Sequence, residues 1–211
     1  MKKRSELRQL AERGSHDPGI IYSILDAGRI AHVGFIADSQ PFVIPMIYGR
    51  RGGAIYLHGS AVSRLMNELS TGIPACLTVT LLDGMVLARS AFHHAMNYRS
   101  VVAIGSARTV SETAQKVKAL YAISEHMLAG RWKDVRGPSR EEIEVTSVVE
   151  FSIEEASAKI RRGPPIDNED DYSRQVWAGV LPFSLEAKAP VPDPRLNADV
   201  ELPPYLDRFA R

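Results

Sequence analysis

His58, Ser60, Ser63 and Arg64, in the run IYLHGSAVSRL, have types and spacing that suggest chemistry. A strand is expected to end at His58-Gly59 and a helix to open at about Ser60, which puts Ser63 and Arg64 in the first turn. Free N–H groups at a helix start, two hydroxyls and a guanidinium together suit a phosphate, because the dipole and the donors point at the anion. An N-capping serine beside a solvated arginine fits the same residues, and the local sequence leaves both readings open. A second candidate is HHAMNYRSVV, residues 93–102. If it is extended from His93, then His94, Met96, Tyr98 and Ser100 share one face, and Asn97 and Arg99 the other. His93 and His94 then diverge, so a shared metal site is not expected. The six histidines show no H-E-x-x-H spacing and the single cysteine forms no Cys/His cluster, which disfavours a catalytic metal. Whether Tyr98-Arg99-Ser100 holds an anion or is a polar strand entrance is open at this level.

The surrounding pattern supplies the elements that must position these groups. DPGIIYSILDAG reads as a short helix, with Asp17 as N-cap, Pro18 at the first helical position and Gly28 after the last apolar residues. RIAHVGFI, PFVIPMIYG and AIYLHG read as strands of an antiparallel meander, with GRRGG (residues 49–53) as a turn. Val62, Leu65, Met66 and Leu69 recur at helical spacing, and Gly72 and Pro74 end that segment. ACLTVTLLDGMVLARSAF suggests two strands around an Asp83-Gly84 turn. VVAIGSARTV is a strand whose Gly105 suggests a bulge. Helices are expected from Ser111 to about Ala129, with Ser111 and Thr113 as cap candidates, and again from Ser139, where PSREE places two glutamates in the first turn. TSVVEFSI and ASAKIRRG return to strand character. After Pro164-Pro165 comes a Pro-rich tail expected to lie extended over a surface. No internal repeat is present. The pattern is mainly β with added helices, a small Greek-key β-barrel.

Composition limits the function. The chain has 211 residues with 45% apolar and 24% charged, ordinary for one globular domain. A formal net charge of +1 gives no long-range attraction to nucleic acid or anionic membrane, so an anion site must be local. Cys76, the single cysteine, excludes an intrachain disulfide and reads as a buried structural thiol in ACLTVT. No apolar core follows the basic start and no run long enough to span a membrane exists, so the cytoplasm is expected. G-x-G-x-x-G after a strand, G-x-x-x-x-G-K-[ST] and G-x-S-x-G are absent, which argues against a Rossmann site, a P-loop and an α/β-hydrolase. Glu141-Glu142 and Glu154-Glu155 read as surface pairs.

Three motifs in order, PFVIPMIYGRRGGAIYLHGSAVSRL, VLARSAFHHAMNYRSVVAIGSARTV and ASAKIRRGPPIDNEDDYSRQVWAGVLP, resemble the FMN-binding split-barrel family related to pyridoxamine 5′-phosphate oxidase, in its nitroimidazole-resistance-like branch. They cover most of the chain from about residue 18 to 183. The resemblance implies a six-stranded antiparallel Greek-key split barrel that forms a homodimer with a flavin in each interface cleft. It divides the chain into an arm at 1–16, a flavin-binding barrel at 17–163 and an extended C-terminal arm at 164–211, packed on the barrel or the dimer partner. By the same resemblance the backbone of Ile44, Pro45, Met46 and Ile47 lies along the flavin ring. His58, Ser60, Ser63 and Arg64 hold the FMN phosphate. Tyr98, Arg99 and Ser100 line the same cleft, and Trp177 closes it. The C-terminal arginine-and-histidine substrate motif of the oxidase has no copy here, so pyridoxamine 5′-phosphate is not the implied substrate. The implied activity is transfer of reducing equivalents from a nicotinamide donor to a small organic acceptor. The alternatives are a non-catalytic flavin-binding or storage protein, or a split-barrel enzyme using FAD, a deazaflavin or haem. The flavin would carry the redox chemistry, so a catalytic acid–base pair need not be present.

Overall fold

The Asp17 carboxylate accepts the Ile20 N–H at 2.9 Å, which caps helix α1, Pro18–Ala27, at the position its sequence dictates. The computed structural model describes residues 4–209, and among these nine strands form one antiparallel sheet. They are β1 (Gly14–Ser15), β2 (Ile30–Ala37), β3 (Gln40–Ile47), β4 (Gly49–Arg51), β5 (Ala54–Ser60), β6 (Pro74–Leu87), β7 (Ala95–Thr109), β8 (Thr146–Arg161) and β9 (Gly179–Pro182). The main path runs β3-β2-β6-β7-β8-β5-β4, with β1 added on β8 and β9 on β6. The mainly β architecture with added helices is as expected, while the six-strand count gives way to nine. Three of these strands have four residues or fewer and lie at ends of the sheet, where periodicity is too short to read.

Alternation along the strands separates two layers. Val33, Phe35, Ile55, Leu57, Leu77, Val79, Val101, Val149 and Phe151 point into the core, closed by Ile24 and Leu25 of α1 and by Leu65, Met66 and Leu69 of helix α2, Arg64–Ser70. On the opposite face of β5 and β8, Tyr56 and Val148 pack under helix α3, Thr113–Met127, through Ala119 and Leu120. Two short helices complete the chain: α4, Arg140–Val145, and α5, Pro204–Phe209. At the start of α4, Ser139 and Glu142 form a reciprocal capping box. No described helix is long and apolar enough to cross a membrane.

Several local expectations are corrected. Asp83-Gly84 does not turn a hairpin. Both residues lie inside the 14-residue β6, where the β7 register shifts between Leu82 and Gly84. The turn expected over GRRGG narrows to Gly52-Gly53, because Gly49–Arg51 pairs with β5 as β4. Cys76 is exposed, since it alternates with the buried Ala75 and Leu77 and so faces outward. Neither Ser111 nor Thr113 caps α3; Glu112 stands at its N-cap without a side-chain bond. The Gly105 bulge is found, as a register shift between Ile104 and Gly105 against β8.

Candidate functional site

Helix α2 opens at Arg64, later than the sequence suggests. Ser60 still pairs with Thr146 on β8, so β5 continues past Gly59 and the chain turns only through residues 61–63. Ser63 is the N-cap residue but makes no side-chain cap bond, and Ser60 accepts the Ser63 N–H at 3.0 Å. The Ser63 hydroxyl therefore stays available, while the Ser60 hydroxyl oxygen accepts the Val62 N–H at 3.4 Å. The Arg64 guanidinium lies 4.8 Å from the centre of the Phe42 ring on β3. Among the described residues no carboxylate forms an ion pair with it, so its charge remains open to an anion. Cation–π stacking fixes the arginine without consuming its N–H donors.

β3 is the edge of the sheet, paired only with β2. Proline is tolerated there because the outer backbone edge has no ladder to donate to. Ile44 and Met46 are half-buried against the core, whereas Pro45 and Ile47 face outward. The outer backbone groups of residues 44–47 can thus meet the polar rim of a flat ligand, as a pairing strand would.

His58 points away from the core, under α3. Its Nδ1 is buried and has no hydrogen-bond partner. Burial pushes its pKa below the ordinary histidine value, which keeps the ring neutral at pH 7. It lines an open-mouthed cavity of about 520 Å³ together with Ile47, Leu120, Ile123, Met127 and Trp132. That places two of the sequence-derived residues, Ile47 and His58, on one surface. The α3 and Trp132 contribution was missed in the sequence, although Leu120, Ile123 and Met127 recur at i, i+3 and i+7 and so form one helix face.

The β7 candidates sit elsewhere on the sheet. His93 ends a single 3-10 turn and His94 Nδ1 accepts the Ala88 N–H at 2.9 Å, so the strand begins only at Ala95. The Arg99 guanidinium makes a two-pronged ion pair with Asp83, Nε to Oδ2 at 2.9 Å and Nη2 to Oδ1 at 2.7 Å. This bond holds the Asp83 carboxyl below the usual carboxylate range. Tyr98 lies opposite Arg161 in the ladder, and the Ser100 hydroxyl donates to the Lys159 carbonyl at 3.4 Å. Arg161 is a second residue the sequence did not single out. It is buried and bonds Asn97 and the carbonyls of Gly163 and Pro164, all neutral oxygens. Trp177 is 68% exposed, its indole lying over Gly179 at the start of β9. Within one copy, β7 lies three positions from β3 along the sheet. His93, Asp167 and Asp171 have potential ligand atoms within 4.8 Å of one another. The Asp167 carboxylate is already bonded by the Arg89 N–H and guanidinium at 2.9 and 3.1 Å.

The single antiparallel sheet with helices packed on it is the architecture of a split barrel. Residues 17–160 match the family described as pyridoxamine 5′-phosphate oxidase, and the chain belongs to that family. It is similar to the flavocytochrome Anf3 of Azotobacter vinelandii, at 39% identity over 99% of this chain and 97% of that one, with a TM-score of 0.92. It is also similar to an FAD- and haem-binding protein of Mycobacterium smegmatis, at 30% identity over 94% and 97% of the two chains, TM-score 0.89. A Bacteroides thetaiotaomicron structure assigned to 5-nitroimidazole antibiotic resistance shares the fold at 22% identity, over 70% of this chain and 86% of that one, TM-score 0.59. No curated protein sequence gives a significant match.

Proposed function

We propose that the protein is a flavin- and haem-binding redox protein, passing electrons from a reduced nicotinamide to a small acceptor in the cytoplasm. The observation that carries this reading is the likeness, over nearly the whole of both chains, to a flavocytochrome at 39% identity. The second relative, described as binding FAD and haem, favours FAD over FMN as the flavin. When bound, a flavin takes up hydride and a haem iron exchanges single electrons, which is the chemistry this reading assigns to the cofactors.

The chain supplies position and electrostatics. In this reading the free edge of Ile44-Pro45-Met46-Ile47 follows the flavin ring, and Arg64 with the hydroxyls of Ser60 and Ser63 neutralises its phosphate. Tyr98 and Ser100, with Arg99 held by Asp83, and Trp177 form a second wall contributed by another copy. A homodimer is supported by the outward sheet face, where Ile36, Val43, Leu82 and Val102 lie exposed beside Cys76. An apolar surface of this kind is costly to leave in water and suits a partner.

A visible spectrum of the purified protein, followed by identification of the released chromophores, tests the reading. Flavin and haem absorption are expected, with bleaching of the flavin on adding NADH or NADPH. A protein that takes up neither added FAD, FMN nor haem would refute it. A bound flavin that no nicotinamide reduces would leave a binding protein without the electron-transfer role.

A further inference from the structure

Past β9 the chain runs as an arm that is fixed to the rest of the fold at both ends. At the near end the Phe183 N–H donates to the Asp83 carbonyl at 3.1 Å. At the far end the Tyr205 ring lies against Gly130, where a Cβ would stand 3.5 Å from its Cδ1. The Arg131 guanidinium also donates to the Tyr205 hydroxyl at 3.1 Å. Between these anchors, residues 184–202 are exposed apart from Ala187. Leu185 and Val191 are 98% and 91% exposed, and Leu196, Val200 and Leu202 are exposed as well. Of the two surfaces expected for this arm, its own barrel does not cover it.

The prolines explain the extended course. Pro190, Pro192 and Pro194 fix φ near about −65° and remove three backbone donors. A segment with these gaps cannot serve as an inner strand, so it docks through side chains. Its stiffness lowers the cost of ordering it on a partner. Residues 184–202 reach at most about 60 Å, against a radius of gyration of about 17 Å for a compact chain of this length. The arm is therefore long enough to cross a neighbouring molecule.

What borders the arm points to its occupant. Met85 on β6 pairs with Leu181 on β9 and both are exposed, so apolar surface leads from the sheet to the root of the arm. Ile36, Val43, Leu82 and Val102 on the outward sheet face are exposed too. A standard interface takes about 20–30 residues a side, and the arm with these sheet residues comes to about that number. In a two-fold pair each copy gives both surfaces and receives both, so one contact covers them all. Glu186, Asp193, Asp199 and Glu201 outnumber Lys188 and Arg195, and this negative balance argues against nucleic acid or an anionic membrane as the occupant.

We propose that residues 184–202 form a strap that grips a second copy of this chain seated on the outward sheet face, reciprocally from both copies. The proposal rests on the homodimer of the reading above and gives the arm its place in it.

Photo-crosslinking of the full chain, with p-benzoylphenylalanine in place of Val191, tests it, with sedimentation velocity giving the mass in parallel. A covalent two-chain product is expected. A dimer that yields only products within one chain, or none, overturns the strap alone. A protein that sediments as a monomer at every concentration overturns the homodimer and the strap with it. Leu185→Asp combined with Val191→Asp gives a second measurement, since both side chains are nearly fully exposed in one copy and a lone chain loses no packing. This double variant is expected to raise the dimer dissociation constant about tenfold or more, with the far-ultraviolet circular dichroism unchanged. Undiminished dimerisation of the double variant refutes the proposal.

Discussion

Gly49 lets the sheet approach the backbone of α3 closely, and replacing it with alanine forces the two apart. Gly49 is the first residue of β4 and is buried against α3. A Cβ there would stand 2.5 Å from the Ile123 nitrogen, 2.6 Å from the Ala122 carbonyl carbon and 2.6 Å from the Ile123 Cα. All three are backbone atoms, so no side-chain rotation relieves the clash. Reaching ordinary contact at 3.4 Å requires α3 or β4 to move by about 0.9 Å. Overpacking costs about 1–3 kcal/mol, and a clash with rigid backbone belongs at the upper end, about 3 kcal/mol. For a chain of this size each kcal/mol lowers Tm by about 2–4 °C, so Gly49→Ala should melt about 6–12 °C below wild type. Scanning calorimetry on cofactor-free protein at matched concentration measures this without a ligand contribution. A Tm within about 2 °C of wild type would show that the helix gives way freely, and that the cavity is not held by this contact.

Arg64→Ala should weaken flavin binding by about 1.5–3 kcal/mol, roughly ten- to 150-fold, as the loss of hydrogen bonds to a charged group; equal affinity by titration would place the phosphate elsewhere. Asp83→Asn should lower stability at pH 7 by about 1 kcal/mol, a modest figure because the pair is about one-third exposed. Arg99 depresses the folded-state pKa of Asp83, so this stabilisation is present above the unfolded value of about 3.9 and is lost as pH falls through the lower folded value. The gap between wild type and Asp83→Asn in urea melts should therefore close below about pH 4, and a gap that persists there would contradict the ion-pair account. Cys76, outward-facing on the proposed dimer surface, should react slowly with a thiol reagent in concentrated protein and faster on dilution; a concentration-independent rate would argue against that interface.

The helices were legible where local chemistry decides them. Asp17, Pro18 and Gly28 frame α1, and Ser139 with Glu142 opens α4, because a cap is a bond between residues three apart. The Asp83-Gly84 signal misled for the opposite reason: distant partners hold it. Arg99 grips the Asp83 carboxylate, the Asp83 carbonyl accepts the Phe183 N–H at 3.1 Å, and β9 runs alongside. Gly84 admits that strand because a Cβ would stand 2.9 Å from the Leu181 oxygen. A residue pair that favours a tight turn in isolation here makes a bulge in a long strand, with contacts about 100 residues further along the chain fixing the outcome. Arg99 was singled out in the sequence for its charge, but spacing gives no view of the carboxylate on the next strand that engages it.

For His58 the residue was legible and its chemistry was not. In the sequence it adjoins Gly59, Ser60, Ser63 and Arg64, and adjacency groups it with the hydroxyls and guanidinium proposed to meet a phosphate. Strand geometry divides that group. Ser60 and His58 share a face of β5, but α3 covers His58 and leaves Ser60 exposed. The difference lies in Leu120, Ile123 and Met127, some 60 residues later, whose apolar face desolvates the ring. One short run thus splits into an exposed end at Ser60 and a covered end whose imidazole is desolvated.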